Sequence, residues 1–190
     1  MLQSKKNMKR CQWASVEPNI TYHDKEWGRP QHDDQKLFEF LVLEGAQAGL
    51  SWVTILKRRE GYKKAFSNFD ALKVSKYSQK HVSKLLQDQS IIRNKLKINS
   101  AINNAKQFLK VQEEFGSFDK YLWSFVNGKP IKNKFKKLSD LPASTEISEK
   151  LSKDLKKRGF TFVGPTICYA LMQAMGMVND HTLECFLHGK

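Results

Sequence analysis

Apolar residues recur every three to four positions along most of the chain and almost nowhere alternate, which predicts helices rather than strands. Leu37, Leu41 and Ala48 keep that spacing over 33–48, where Asp33 or Asp34 suits a cap and Gly49 ends the run. Ser51 opens a second predicted helix, from Trp52 to about Phe66. A short helix covers 70–76, and Ser78 begins another that carries Val82, Leu85 and Leu86. The cleanest 3.6-residue period is Ile98, Ile102, Ala105 and Leu109. Ser117 introduces 118–126, which Asn127 and Gly128 end. Ser148 reads as the cap of a helix running to Arg158 before Gly159. Pro165 reads as the first-turn proline of a helix over 166–175, followed by Gly176. Asn179 or Asp180 would cap a last short helix bearing His181 and Cys185. The stretch 129–142 is basic and patternless and reads as loop. The expected fold is all-α, a single helical domain over 10–190 behind a basic, disordered extension over 1–9.

Composition adds a compartment and a partner. A chain of 190 residues can bury one sound core. No apolar run reaches membrane-spanning length, and the basic N-terminus lacks the apolar stretch of a signal peptide. Three widely spaced cysteines make no disulfide framework, so a reducing cytoplasmic location, near the nucleoid, is expected. A net charge of +14 suggests a polyanionic partner with phosphate backbones. The charge is densest at 93–97, 129–137 and 150–158; the alternative is a solvated lysine-rich surface. Membrane association is not expected, because no helix pairs a basic face with a Trp/Phe/Leu-rich one.

Two residue patterns carry candidate chemistry. Glu44 shares the face of Leu37, Leu41 and Ala48, and a carboxylate aimed at a core is costly unless something specific meets it. It is therefore either salt-bridged or functional. The small residues Gly45, Ala46, Ala48 and Gly49 leave backbone accessible beside it, and Trp13, Tyr22, Trp27 and Trp52 lie in the same N-terminal half. Aromatic rings around one acid suit a flat, positively charged ligand such as a damaged nucleobase. The second pattern is Cys11 and His23 near one end, with His181 and Cys185 near the other. Two Cys and two His suit a closed tetrahedral zinc site that fastens the chain ends; unrelated core cysteines and surface histidines would fit the spacing too.

The segments CQW at 11–13, YHDKEWG at 22–28, LEGAQAGLSW at 43–52, KKRGFTFVGPTICY at 156–169 and NDH at 179–181 stand in one order over nearly the whole chain. Together they resemble the 3-methyladenine DNA glycosylase I family. The resemblance implies a helix-hairpin-helix glycosylase fold and one structural Zn²⁺ on Cys11, His23, His181 and Cys185. It implies a monomer without an obligatory protein partner that excises 3-methyladenine from double-stranded alkylated DNA, beginning base excision repair. A zinc-stapled DNA-binding module without activity is the alternative. Carried over, Glu44 recognises the base, Trp52 stacks on it, Tyr22 completes a catalytic trio, and Trp13 and Trp27 wall the pocket. Gly49 and Leu50 would fill the gap left by the extruded base, although Leu50 could also be ordinary core. Ser90, Arg93 and Lys95, in and after the hairpin, would grip DNA. Because a methylated adenine already departs readily, no aspartate nucleophile or base is nominated. Two features differ from the family: the Cys11–His23 interval is one residue shorter, with Asn19 and Ile20 where a second pocket tyrosine usually precedes Tyr22, and the hairpin lacks its usual glycine.

Overall fold

The computed structural model describes residues 8–189. Residues 1–7 of the expected extension lie outside the described residues. Lys9, by contrast, pairs with Glu184 at 3.2 Å and its carbonyl accepts from the Phe186 amide. The described helices are α1 (Asn19–Lys25), α2 (Asp34–Gln47), α3 (Trp52–Ala65), α4 (Ala71–Ser75), α5 (Gln79–Leu85), α6 (Lys95–Phe115), α7 (Phe118–Ser124), α8 (Glu146–Lys157) and α9 (Pro165–Ala174).

Helix α2 forms the centre, packed against α3, α6, α7 and α9. Its buried residues, from Leu37 and Phe38 through Glu44 to Ala46, go nearly all the way round, as expected of a helix with neighbours on every side. The two candidate cap residues have separate tasks. Asp33 accepts from the Lys36 amide at 2.9 Å and caps α2. Asp34 reaches across to α7, accepting from the Phe118 and Asp119 amides at 2.9 and 2.8 Å. Phe108 on α6 then stacks on Phe118, with centroids 4.1 Å apart, and meets Phe38 edge-on at 5.2 Å.

Local pattern misplaces several elements. Helix α1, seven residues long, was not expected. Helix α8 is capped by Thr145, not Ser148. Ser148 is the reciprocal partner in that capping box, its Oγ accepting from the Thr145 amide at 2.8 Å. Residues 129–142 are not simply loop, and the fold is mostly rather than wholly helical. Ile131–Lys132 (β1) pairs in parallel with Val178–Asn179 (β2), a ladder too short to produce alternation in sequence. The expected last helix is absent, and 181–189 is a run of turns.

Gly176 shows how tightly that end is packed. Its φ is +69°, and an added Cβ would lie 2.2 Å from the Arg29 carbonyl carbon. Gly176→Ala is expected to cost about 3 kcal/mol or more, combining left-handed strain with a backbone clash that no side chain can relieve. Urea unfolding monitored by tryptophan fluorescence would measure it.

Candidate active site and metal cluster

The cluster at the chain ends is built by the turn before α1, α1 itself and the C-terminal turns. Cys11, His23, His181 and Cys185 are all buried, and their ligand atoms lie within 4.8 Å of one another. Cys185 Sγ is 3.4 Å from both His23 Nε2 and His181 Nδ1, and Cys11 Sγ is 3.6 Å from His181 Nδ1. Tetrahedral Zn–N and Zn–S bonds would place N and S about 3.6 Å apart. Each imidazole is already oriented from outside. His23 Nδ1 meets Asp24 at 2.9 Å, leaving Nε2 for an ion, while His181 Nε2 meets the Trp27 carbonyl at 3.2 Å, leaving Nδ1. Arg10 holds Asp24 through both carboxylate oxygens. The closeness of the two thiols drives the Cys185 thiol down and the Cys11 thiol up. A divalent cation removes that conflict by accepting both as thiolates, so these residues can hold a metal. The one-residue-shorter Cys11–His23 interval does not open the cluster.

The aromatic site adjoins it directly. Trp27 stands edge-on to His181, with centroids 4.8 Å apart, and Trp13 meets Trp27 at 5.0 Å and His23 at 5.4 Å. Tyr22 continues the wall, 6.2 Å from Trp13 and 5.4 Å from Trp52. Together with Asn19, Glu44, Gln47, Leu138, Leu141, Ala170 and Gln173, these rings enclose a cavity of about 250 Å³. That volume is at the small end for ligand sites, which run to roughly 1,000 Å³, and fits one base better than a whole nucleotide.

Glu44 supplies the strongest chemical signal. It is 4% exposed, and among the described residues no salt bridge reaches it and Oε2 has no hydrogen-bond partner. The structural ion pair that its helix face allowed is therefore not formed. Burial pushes its carboxyl up to about 8. Three further buried polar atoms in this wall also have no partner: Tyr22 Oη, Trp52 Nε1 and Asn19 Oδ1. Burial and the nearby Glu44 carboxylate raise Tyr22 well above the ordinary phenol range. Since buried polar groups are nearly always paired, four orphans around one cavity indicate a site shaped for a polar ligand. Arg59 braces the wall from behind, bonding Glu26 at 2.7 Å and Glu39 at 2.6 Å across α2 and α3.

Several lining residues escaped sequence reasoning. Asn19 occupies the place three before Tyr22, on the same face of α1, so the wall there is polar where a second ring was in question. Its Nδ2 donates to the Trp13 carbonyl at 3.2 Å. Leu138 and Leu141 come from the patternless stretch, and Gln173 from α9. Asp180, read as a cap, accepts from Tyr169 at 2.5 Å, and from Gln173 and Asn133 at 2.7 Å each. It is fully used in tying α9 to β1.

The expected DNA-facing residues fall in two places. Gly49 turns with φ +74° beyond α2, leaving Leu50 exposed at 38%, so Leu50 is not core. A groove lined by Gly49, Leu50, Thr166 and Ile167 shares Glu44, Gln47 and Ala170 with the cavity. Ser90 and Arg93 are exposed on the connection between α5 and α6, and Lys95 is exposed at the start of α6. Asp88 takes the Ser90 amide there at 2.8 Å, and Asn94 takes the first amides of α6, from Leu96 and Lys97. Those amides are thus occupied, and the exposed Arg93 and Lys95 side chains remain for an anion.

Comparison with known proteins shows the family. The sequence model of methyladenine glycosylases covers residues 13–188. DNA-3-methyladenine glycosylase 1 of Escherichia coli K12 is 50% identical over 94% of this chain and 96% of its own. A crystal structure of 3-methyladenine DNA glycosylase I is similar at TM-score 0.92 and 49% identity, covering 95% of this chain and all of that one. The Staphylococcus aureus enzyme, solved for the structural basis of 3-methyladenine recognition, has TM-score 0.92 and 37% identity over 96% of this chain and 98% of its own.

Proposed function

Because this chain belongs to the methyladenine glycosylase family, we propose that it hydrolyses the N-glycosidic bond of 3-methyladenine in double-stranded alkylated DNA and so begins base excision repair. The observation that carries the reading is Glu44, a buried acid with an unpartnered oxygen in an aromatic cavity of single-base size.

Methylation at N3 makes the base cationic, and it leaves as a neutral molecule. The protein therefore needs extrusion, cation-favouring recognition and access for water more than a strong acid. Glu44 accepts a charge-assisted hydrogen bond from the base, Trp52 stacks on it, and Tyr22 offers its unpaired hydroxyl. Trp13 and Trp27 close the sides. Leu50, carried on the Gly49 turn, fills the space vacated in the duplex and makes extrusion less costly. The α5–α6 pair and its connection act as the hairpin of the helix-hairpin-helix type, with Arg93, Lys95 and Ser90 along the phosphates.

The cluster residues Cys11, His23, His181 and Cys185 would hold one Zn²⁺, supported by the N-to-S separations and by the outside partners of both imidazoles. A site with four protein ligands has no vacancy for a substrate or water, so the ion would supply a cross-link and no chemistry. Its residues keep Trp13 and Trp27 against the cavity. The protein works as a monomer without an obligatory partner, in the cytoplasm near the nucleoid; among the described residues no helix is long and apolar enough to cross a membrane. Incubating the protein with methylated duplex DNA and identifying the released bases tests the function. Release of 3-methyladenine is expected, and no release of any base would overturn it.

A further inference from the structure

The Lys97 ammonium group joins two parts of this machinery. It lies in the first turn of α6, directly after the α5–α6 connection. Its Nζ donates to the carbonyls of Ala46 and Ala48 at 2.8 and 2.7 Å, about fifty residues earlier in sequence. Those carbonyls end α2, where the last turn contains no basic residue of its own. Carbonyls at a helix C-terminus have no intrahelical partner, and a cation there also favours the helix dipole. The next residues are Gly49, at φ +74°, and the exposed Leu50, whose amide turns back onto the Gln47 carbonyl at 2.6 Å. A Cβ at Gly49 would meet nothing within 4 Å, so the turn is open on that side.

The other end of this link is equally firm. An added Cβ on Gly61 of α3 would lie 2.3 Å from the Ser90 carbonyl oxygen, so α3 and the connection are in direct backbone contact. The Ile92 amide donates to Tyr62 Oη of α3 at 3.3 Å. The connection is thus seated on α3, α6 follows from it, and Lys97 carries that placement to the end of α2.

We propose that Lys97 is a positioning residue: by capping α2 from the start of α6, it sets the Gly49–Leu50 turn at a fixed distance from the DNA-facing connection. The proposal rests on the glycosylase reading for what the turn does, but not for how it is held. A plug displaced by about 1 Å from the base stack would slow extrusion without altering the pocket.

Lys97→Met keeps the aliphatic stem and removes the donor. At saturating enzyme, single-turnover release of 3-methyladenine from methylated duplex is expected to fall about 10- to 100-fold. Affinity for free 3-methyladenine, read by tryptophan quenching, stays within about twofold, because the pocket does not use Lys97. Amide exchange within 46–51 of the free protein speeds about tenfold, while α8 is unchanged. Lys97→Arg, which still donates to carbonyls, restores release to within about threefold. Unchanged release from Lys97→Met, loss of base affinity in step with release, or an arginine variant as slow as the methionine one would each overturn the proposal. If the wild-type protein releases no base, the glycosylase reading fails and the exchange measurement decides alone: acceleration confined to 46–51 upholds the positioning role, and unchanged exchange overturns it.

Discussion

Glu44→Gln is expected to abolish measurable excision while leaving the helical circular dichroism spectrum unchanged. Glutamine keeps the shape but cannot offer a negative charge to a cationic base, and losing one preorganised charged hydrogen bond costs about 100-fold or more in rate. Normal turnover by the folded variant would remove Glu44 from the mechanism. The same residue sets a pH dependence. Its carboxyl sits at about 8 because it is buried without a compensating cation, so near pH 7 the empty site is mostly protonated. Binding a cationic base then releases that proton. The value of kcat/KM should rise with pH and level off above about 8, since it reports groups of the free enzyme.

Stability runs the other way. The folded-state value of about 8 lies above the ordinary 4.5, so the folded protein binds the extra proton between them. That contribution is complete below about pH 4.5 and is lost as pH rises through 8. Glu44→Gln removes the slope and should be more stable than wild type above pH 9, by on the order of 3 kcal/mol. The two unfolding curves should converge below pH 5. Curves that stay parallel across that range would contradict a buried, unpaired acid.

The second large effect is expected from Cys185→Ser. Bound metal should fall well below one ion per chain, and the Tm should drop by about 10 °C or more. Cys185 lies in turns, not in a helix, so little regular structure holds the C-terminal segment apart from the cluster. A cross-link between Cys11 and Cys185 closes nearly the whole chain, a constraint worth about 4–5 kcal/mol by loop-closure entropy. Trp13 and Trp27 touch the cluster histidines, so the cavity wall loosens with it. Metal analysis and differential scanning calorimetry on one preparation would decide: full metal content with an unaltered Tm would show that the cluster is no staple.

Much of this molecule was legible beforehand where the governing interactions are short-ranged. A helix bonds residues four apart and its caps act within one turn, so Asp33, Ser51, Ser117 and Pro165 marked real starts. The same locality explains the errors. Thr145 and Ser148 both suit a cap, and only the direction of approach of the chain separates them. His181 and Cys185 are four apart, as on a helix, yet turns bring them to the cluster.

The residue types at the site were visible from the chain alone: an acid on an apolar helix face, tryptophans and a tyrosine close in sequence, and two Cys/His pairs at opposite ends. What tertiary structure decided was pairing. Whether Glu44 had a cation, whether Asn19 stood in the wall, and whether Leu138 and Leu141 reached the cavity all depend on residues far apart in the chain. The β1–β2 ladder joins positions 47 residues apart, and Lys97 bridges 49 and 51 residues to α2. Periodicity and capping chemistry report the nearest turn of backbone, whereas burial without a partner is a property of everything that folds around a group.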